Sequence, residues 1–319
     1  MLRVLNSFKV RSGLKLVDYR LGEDLDSQEI KVYFQSRDYK IGNLQNSGRH
    51  VTGILTKAGE KYFLKLSTSE GISIVTQNEF NWNNYFNANN LNNKFHVPKN
   101  FDSGYFKDKY FYLITNYFNG KLLCQFRDQY QNLNLLTKSL TQIIELAENI
   151  QQLPDYTFAI AQYQDGDSKL RFINKANAWF DDIPINIRDK YNLQLLIKVA
   201  IKGIDKLFSK PRHGDFAPWH IMTLGNNKLG LIDGEHALSD GVENYDICYF
   251  IQRVFSVLKK PDIAENIYLE LRKRKYEVEK LKTILAARAI GGFLDESLNS
   301  NPDYMFANAF KDWVLALND

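Results

Sequence analysis

A chain of 319 residues with 44% hydrophobic and 24% charged residues is long enough for two lobes, each burying its own core, and has an ordinary globular composition. Its net charge of +4 is spread over many segments, which argues against a nucleic-acid partner, and no run approaches the ~20 apolar residues that span a bilayer. Met1 to Lys15 lacks a continuous apolar signal core, so a cytoplasmic location is expected, and Cys124 and Cys248 are expected as reduced, structural thiols.

Residues 1–38 carry no chemical motif and are expected to form an extension packed on the first lobe, with Ile30 to Gln35 as a candidate strand. From Tyr39 the pattern becomes strand, turn, strand, turn, strand. Tyr39 to Leu44 leads through the turn chemistry of Gln45 to His50 into Val51 to Lys57, and Ala58-Gly59-Glu60 turns into Tyr62 to Leu66. Lys65 lies inside the third strand, and a lysine in an apolar strand wants a counter-ion. Ile72 to Phe86 reads as a helix that offers one in Glu79, while the asparagines of Asn87 to Asn93 read as a loop. Phe101 to Tyr105 and Tyr110 to Thr115 form a hairpin that brings the sheet to five strands, closing a lobe over residues 39–117.

Residues 118–319 change character. Apolar residues recur at helical spacing over Leu135 to Leu153, and Pro154 ends that run; Leu193 to Phe208 is a second amphipathic stretch. Further helices are expected at about Tyr245 to Leu258, Ile263 to Lys273, Val278 to Ala289 and Tyr304 to Leu317. Between them, Arg212 to Ala237 is dense in chemistry. Asp215 sits on a loop marked by Gly214 and Pro218, His220 follows five residues later, and a short apolar segment from Leu229 to Ile232 delivers Asp233 at its end. Acidic side chains leaving an apolar strand are costly unless they meet a cation or a donor, so two carboxylates joined by a hairpin can converge on one metal or one reacting group.

The run His213-Gly-Asp, followed by Ile232-Asp-Gly-Glu235, resembles the catalytic core of the aminoglycoside phosphotransferase and choline kinase family, a relative of the protein kinases. The resemblance implies an α+β, protein kinase-like two-lobe fold with a small antiparallel-sheet lobe and a larger, mainly helical one. It implies an ATP- and magnesium-dependent kinase that moves the γ-phosphate to a hydroxyl of a small molecule. Lys65 and Glu79 would hold the nucleotide phosphates, Ser47 and Gly48 would lie in a phosphate-covering turn, and the backbone of Asn116 and Phe118 would meet the adenine. Asp215 would act on the attacking hydroxyl and Asp233 would hold magnesium. His213 and Asp246 would support the catalytic loop. An acidic substrate pocket for amine-bearing acceptors could draw on Glu235, Asp240, Glu243, Asp295 and Glu296, although each reads equally as a solvated surface acid, and Glu235, two residues after Asp233, could instead compensate as a metal ligand. Arg288 is expected to pair with an acid across the second lobe rather than to meet a substrate anion.

His220 departs from the resembled pattern, which carries asparagine there as a neutral oxygen ligand for metal. Histidine offers nitrogen, which suits zinc or manganese better than magnesium. Manganese use, a single-metal enzyme, and a nucleotide-binding pseudokinase acting by protein interaction all follow as alternatives. The acceptor, whether aminoglycoside, choline-like amine, sugar or amino-acid alcohol, is left open by these residues, as is the oligomeric state.

Overall fold

Between Lys40 and Ser67 polar and apolar residues interleave, and a strand puts successive side chains on opposite faces. The computed structural model describes residues 5–126, 128, 131–154 and 166–318. They divide into two compact units, one formed by residues 5–120 together with 224–237 and the other by the remaining described residues.

The first unit opens with a hairpin, β1 (Lys9–Ser12) and β2 (Lys15–Asp18), then a helix, α1 (Ser27–Gln35). The expected strand at Ile30 to Gln35 is therefore a helix. Asp26 caps it by accepting from Gln28 N at 2.6 Å, and Ile30 and Phe34, four residues apart, form its buried stripe. Strands β3 (Lys40–Asn46), β4 (His50–Lys57) and β5 (Glu60–Ser67) follow, then the long helix α2 (Glu70–Asn89) and a short strand, β6 (Phe95–His96). With β7 (Asn100–Phe106) and β8 (Tyr110–Asn116) they give an antiparallel five-stranded sheet in the order β3-β4-β5-β8-β7. On one face Val51, Leu55, Leu64, Leu66, Tyr112 and Ile114 pack with Ile30 and Phe34 of α1. The other face meets α2: Ser67 Oγ donates to Thr76 Oγ1 at 3.0 Å, so Lys65, two residues back on the same face, points to the next turn of that helix.

The second unit begins with β9 (Lys121–Leu122), α3 (Asn134–Lys138) and α4 (Leu140–Gln151), so the stretch expected as one helix from Leu135 is divided at Ser139. Two helices then appear where the sequence reading assigned none, α5 (Ser168–Asp182) and α6 (Ile185–Lys190). The first is capped by Asp167, which accepts from Leu170 N at 2.8 Å, and buries Phe172, Ala176 and Trp179 at spacings of four and three. Helix α7 (Gln194–Gly203) leads to β10 (Ser209–Arg212), the loop bearing Asp215, and β11 (Ile221–Gly225), whose Met222 and Thr223 pair with β9.

The chain then returns to the first unit for β12 (Lys228–Leu231), which runs parallel to β6. It goes back to the second for β13 (Leu238–Val242), antiparallel to β10, and for helices α8 (Tyr245–Gln252), α9 (Pro261–Lys273), α10 (Val278–Ser297) and α11 (Met305–Ala316). Between α8 and α9 the backbone widens into a π turn over Arg253–Val257, a rare form that often marks a functional position. Both cysteines are buried and unbridged, and no described helix is long and apolar enough to cross a membrane.

Candidate active site

In the first unit, β5, α2 and the segment after β12 bring one ammonium among three carboxylates. Lys65 Nζ lies 2.6 Å from Glu79 Oε2, 2.5 Å from Asp233 Oδ1 and 2.7 Å from Glu235 Oε1. Lys65 is 8% exposed, Glu79 6% and Glu235 2%, so each charge depends on its neighbours for what water would otherwise supply. Arg49 Nη2 meets Glu235 Oε2 at 2.6 Å, and His50 Nε2 lies 2.9 Å from Glu235 Oε1. Burial favours the neutral lysine, but Asp233, Glu235 and Glu79 outweigh it and hold the ammonium well above its ordinary value. Burial likewise raises the Glu79 carboxyl, while at Glu235 the same effect is overcome by Arg49, Lys65 and His50, which keep that carboxyl well below the usual range. Burial pushes the His50 imidazole below its ordinary value and toward neutrality.

Glu235 was expected to line an acidic substrate pocket. Its burial and its partners Arg49, His50 and Lys65 instead make it part of the lysine's cradle.

Backbone geometry aims this segment. Asp233 adopts a left-handed conformation, φ 69° and ψ 53°, a region that non-glycine residues enter uncommonly and aspartate more readily than most. Gly234 follows because nothing larger fits: a Cβ there would stand 2.2 Å from Cδ1 of the buried Trp82. Asn78 of α2 donates to the carbonyls of Glu235 and Ala237 at 3.0 and 3.1 Å, pinning the same turn. Glu79, Asp233 and Glu235 place oxygens within 4.8 Å of one another, and the Asp233 side chain, 28% exposed, is the one that opens outward. Three carboxylates against Lys65 and Arg49 leave an excess of negative charge, and an all-oxygen donor set suits a hard divalent cation such as magnesium.

The turn between β3 and β4 closes on itself. Ser47 uses both its N–H and its hydroxyl on His50 O, at 2.9 and 3.0 Å, and Gly48 N donates to Asn46 Oδ1 at 2.8 Å. Gly48 has a φ of +82° and open space beyond it, while the N-terminal extension packs beneath: a Cβ on Gly22 would meet Gly48 O at 1.9 Å. At the end of β8, Asn116 N donates to Lys99 O at 3.1 Å. Phe118 lies so close over Gly230 of β12 that a Cβ there would stand 2.8 Å from its ring.

In the second unit, Asp246 near the start of α8 holds the loop that carries Asp215. Its two carboxylate oxygens accept from His213 N at 2.7 Å and Gly214 N at 2.9 Å, and Gly214 takes a φ of +84° that favours glycine. His213 is fully buried against this brace. Burial pushes the Asp246 carboxyl up to about 6 even though both backbone donors and Arg212 favour its charge. Asp215 accepts the hydroxyl hydrogen of Tyr249, whose oxygen in turn accepts from Arg253 Nη2 at 2.7 Å, and Arg253 Nη1 pairs with Asp295 at 2.5 Å. His220 Nδ1 lies 2.9 Å from the carbonyl oxygen of Asp215. A carbonyl can only accept, so this nitrogen carries hydrogen and a neutral ring has its lone pair on Nε2.

The other acids expected in a substrate pocket are also engaged. Asp240 pairs with Arg171 at 2.6 Å, Asp295 with Arg253, Glu243 with Lys280 at 3.2 Å, and Glu296 accepts from Asn299 at 2.8 Å. Sequence reasoning missed Arg49, His50, Tyr249 and Arg253. They carry no motif, and only the partner each meets in space gives it a role.

No protein-family model matches the chain, and no curated protein matches it in sequence. Solved structures do resemble it. Aminoglycoside phosphotransferase APH(4)-Ia superposes with a TM-score of 0.68 at 13% identity, over 91% of this chain and 98% of that one. A protein described as a fructosamine-3-kinase from Haemophilus somnus 129PT gives 0.56 at 15% identity, over 91% and 95%. Spectinomycin phosphotransferase APH(9)-Ia, in complex with ADP and spectinomycin, gives 0.53 at 11% identity, also over 91% and 95%. The chain therefore has the protein kinase-like fold of these phosphotransferases.

Proposed function

We propose that the protein is an ATP- and magnesium-dependent phosphotransferase whose acceptor is a hydroxyl of a small molecule. The observation that carries this reading is Lys65, held between Glu79 on α2 and Asp233 at a left-handed corner. Kinase-like enzymes hold a lysine in this way to meet nucleotide phosphates. The fold shared with ADP-binding and substrate-bound phosphotransferases supports it.

In this reading Lys65 binds the phosphates, Glu79 orients it, and the backbone of Asn116 and Phe118 receives the adenine. The turn at Ser47 and Gly48 lies over the phosphates. Asp233 would hold magnesium, and that ion would neutralise charge developing on the transferred phosphoryl group, while His220 would offer a nitrogen ligand to a divalent cation. Asp215 accepts the proton of the acceptor hydroxyl and keeps the attacking oxygen oriented. Tyr249 and Arg253 fix its carboxylate, and His213 and Asp246 fix its loop.

A coupled ADP-release assay with a panel of hydroxyl compounds tests the proposal. Asp215→Ala should lower acceptor-dependent turnover by about a hundredfold or more while ATP with magnesium still stabilises the protein to heat. Nucleotide stabilisation with no turnover dependent on Asp215 would remove the enzyme reading. It would leave the alternative that His220 motivates, a nucleotide-binding pseudokinase acting by protein interaction.

A further inference from the structure

Beside the Asp215 loop, three cations from three elements gather on aromatic faces. Arg288, in the middle of α10, is 3% exposed and has no carboxylate partner among the described residues. Its Nη1 donates to the Tyr245 hydroxyl at 3.2 Å, and its guanidinium carbon lies 4.8 Å from the Trp179 ring centre and 4.3 Å from that of Tyr249. The expected pairing of Arg288 with an acid is thus absent among the described residues. Arg212, closing β10, stands 3.9 Å over the Tyr245 ring and also lacks an ion-pair partner there. Lys175 of α5 lies 5.8 Å from the Trp179 ring.

The cations feel one another. The Lys175 ammonium is pushed down to about 8 by burial and by Arg212 and Arg288, with Asp182 acting in the opposite direction. Asp246, the acid that feels Arg212, has both oxygens committed to His213 N and Gly214 N. Gly291, one turn beyond Arg288, leaves room for the guanidinium, since a Cβ there would approach both Nη atoms to 3.3 Å.

Ring faces return only part of the hydration that a guanidinium loses on burial, and like charges brought together make that loss larger. An anion meeting Arg288 and Arg212 would supply the charge compensation that the ring faces leave unmet. Tyr249, whose ring carries Arg288, donates its hydroxyl to Asp215, so the cluster stands one side chain from the proposed hydroxyl-activating carboxylate. The acids that would suit an amine-bearing acceptor are already taken by Arg171, Arg253, Lys280 and Lys65.

We infer that the acceptor carries an anionic group, a phosphate monoester or a carboxylate, which Arg288 and Arg212 bind while its hydroxyl faces Asp215. This inference rests on the phosphotransferase reading for the identity of the ligand as an acceptor, but not for the anion site itself. Guanidinium forks present paired donors to planar or tetrahedral oxyanions, so both groups share the required chemistry.

Two measurements separate the site from the reaction. Titration of inorganic phosphate by calorimetry should give the same binding to the wild type and to Lys65→Ala, which removes the lysine proposed for nucleotide phosphates. It should be about tenfold or more weaker in Arg288→Met and in Arg212→Gln, the latter a partly exposed position that tests the site should the former not fold. In the ADP-release assay, glucose 6-phosphate or glucuronate should be preferred over glucose and glucosamine, the two anionic probes distinguishing phosphate from carboxylate. Arg288→Met should raise KM for the preferred anion about tenfold, with a smaller change in kcat. Phosphate binding lost on Arg288→Met, with no ADP release from any acceptor, leaves the anion site standing and removes the phosphotransferase reading. Turnover of glucose or glucosamine in preference to the anionic probes, with phosphate binding absent, lost in a Lys65→Ala protein that circular dichroism shows to be folded, or unaffected in both arginine variants, keeps the reaction and overturns the site.

Discussion

Lys65 is where the local energetics are most exposed to a single change. In place it balances Glu79, Asp233 and Glu235; Lys65→Met leaves three carboxylates facing one another with Arg49 the remaining strong cation. Breaking such a buried arrangement costs about 3–5 kcal/mol. Without the ammonium, Glu79, whose carboxyl burial already raises, loses the cation that opposes the rise. Its protonated form therefore stabilises the fold, and that contribution is lost as pH rises through the raised value. Urea denaturation should show the gap between variant and wild type narrowing from pH 8 to pH 5; a gap that widens on acidification would refute this balance.

His220 makes a second prediction at the same scale. Because its Nδ1 hydrogen points to the Asp215 carbonyl, Nε2 is the atom able to ligate, and nitrogen favours manganese over magnesium. His220→Asn should raise the ratio of magnesium- to manganese-supported ADP release. An unchanged ratio would show that His220 does not touch the metal.

Elements position these groups, and the clearest case is the brace between α8 and the Asp215 loop. Asp246 has its carboxyl raised to about 6 by burial, against an ordinary 3.8. The folded state therefore keeps a proton that the unfolded chain gives up between about pH 4 and pH 6, and stability falls across that window by roughly 3 kcal/mol at full ionisation. Asp246→Asn cannot titrate. The stability advantage of wild type over Asp246→Asn should accordingly be larger at pH 5 than at pH 7, as read by denaturant unfolding; a constant difference would mean that the carboxylate is as well solvated by its two N–H donors as by water.

On the scale of the whole molecule, legibility follows the range of the signal. The five-stranded sheet, α2 and the later helices were readable because alternation and helical spacing are local, and Lys65 with Glu79 was readable because only 14 residues separate them. Helix α1 was misread as a strand because its apolar stripe is short, although Asp26 and the Ile30–Phe34 spacing carried the helix signal. The Arg49, His50 and Glu235 contacts were not legible, since they join residues about 186 apart, and an arginine in a turn has no pattern of its own. The partners of the acids grouped as a candidate pocket were not legible, because sequence shows an acid but not the base beside it.

The same long-range closure predicts how the first unit behaves when cut. Residues 5–120 are joined there by 224–237, which supplies β12 beside β6, the Gly234 surface under Trp82, and the carbonyls that Asn78 binds. A fragment of residues 1–120 lacks all three, and its Lys65 keeps only Glu79 of three carboxylates. Trp82 is the fragment's single tryptophan, so its emission reports on this surface alone. It is 1% exposed in the full chain, and in the fragment its fluorescence should shift to the red and its melting transition should broaden or fall. Joining residues 224–237 to the fragment through a flexible linker should restore the blue-shifted emission, because linkage supplies the returning segment at an effective concentration in the millimolar range. Native-like emission from residues 1–120 alone would show that the sheet and α2 suffice, and that the Asp233 segment adds chemistry without stability.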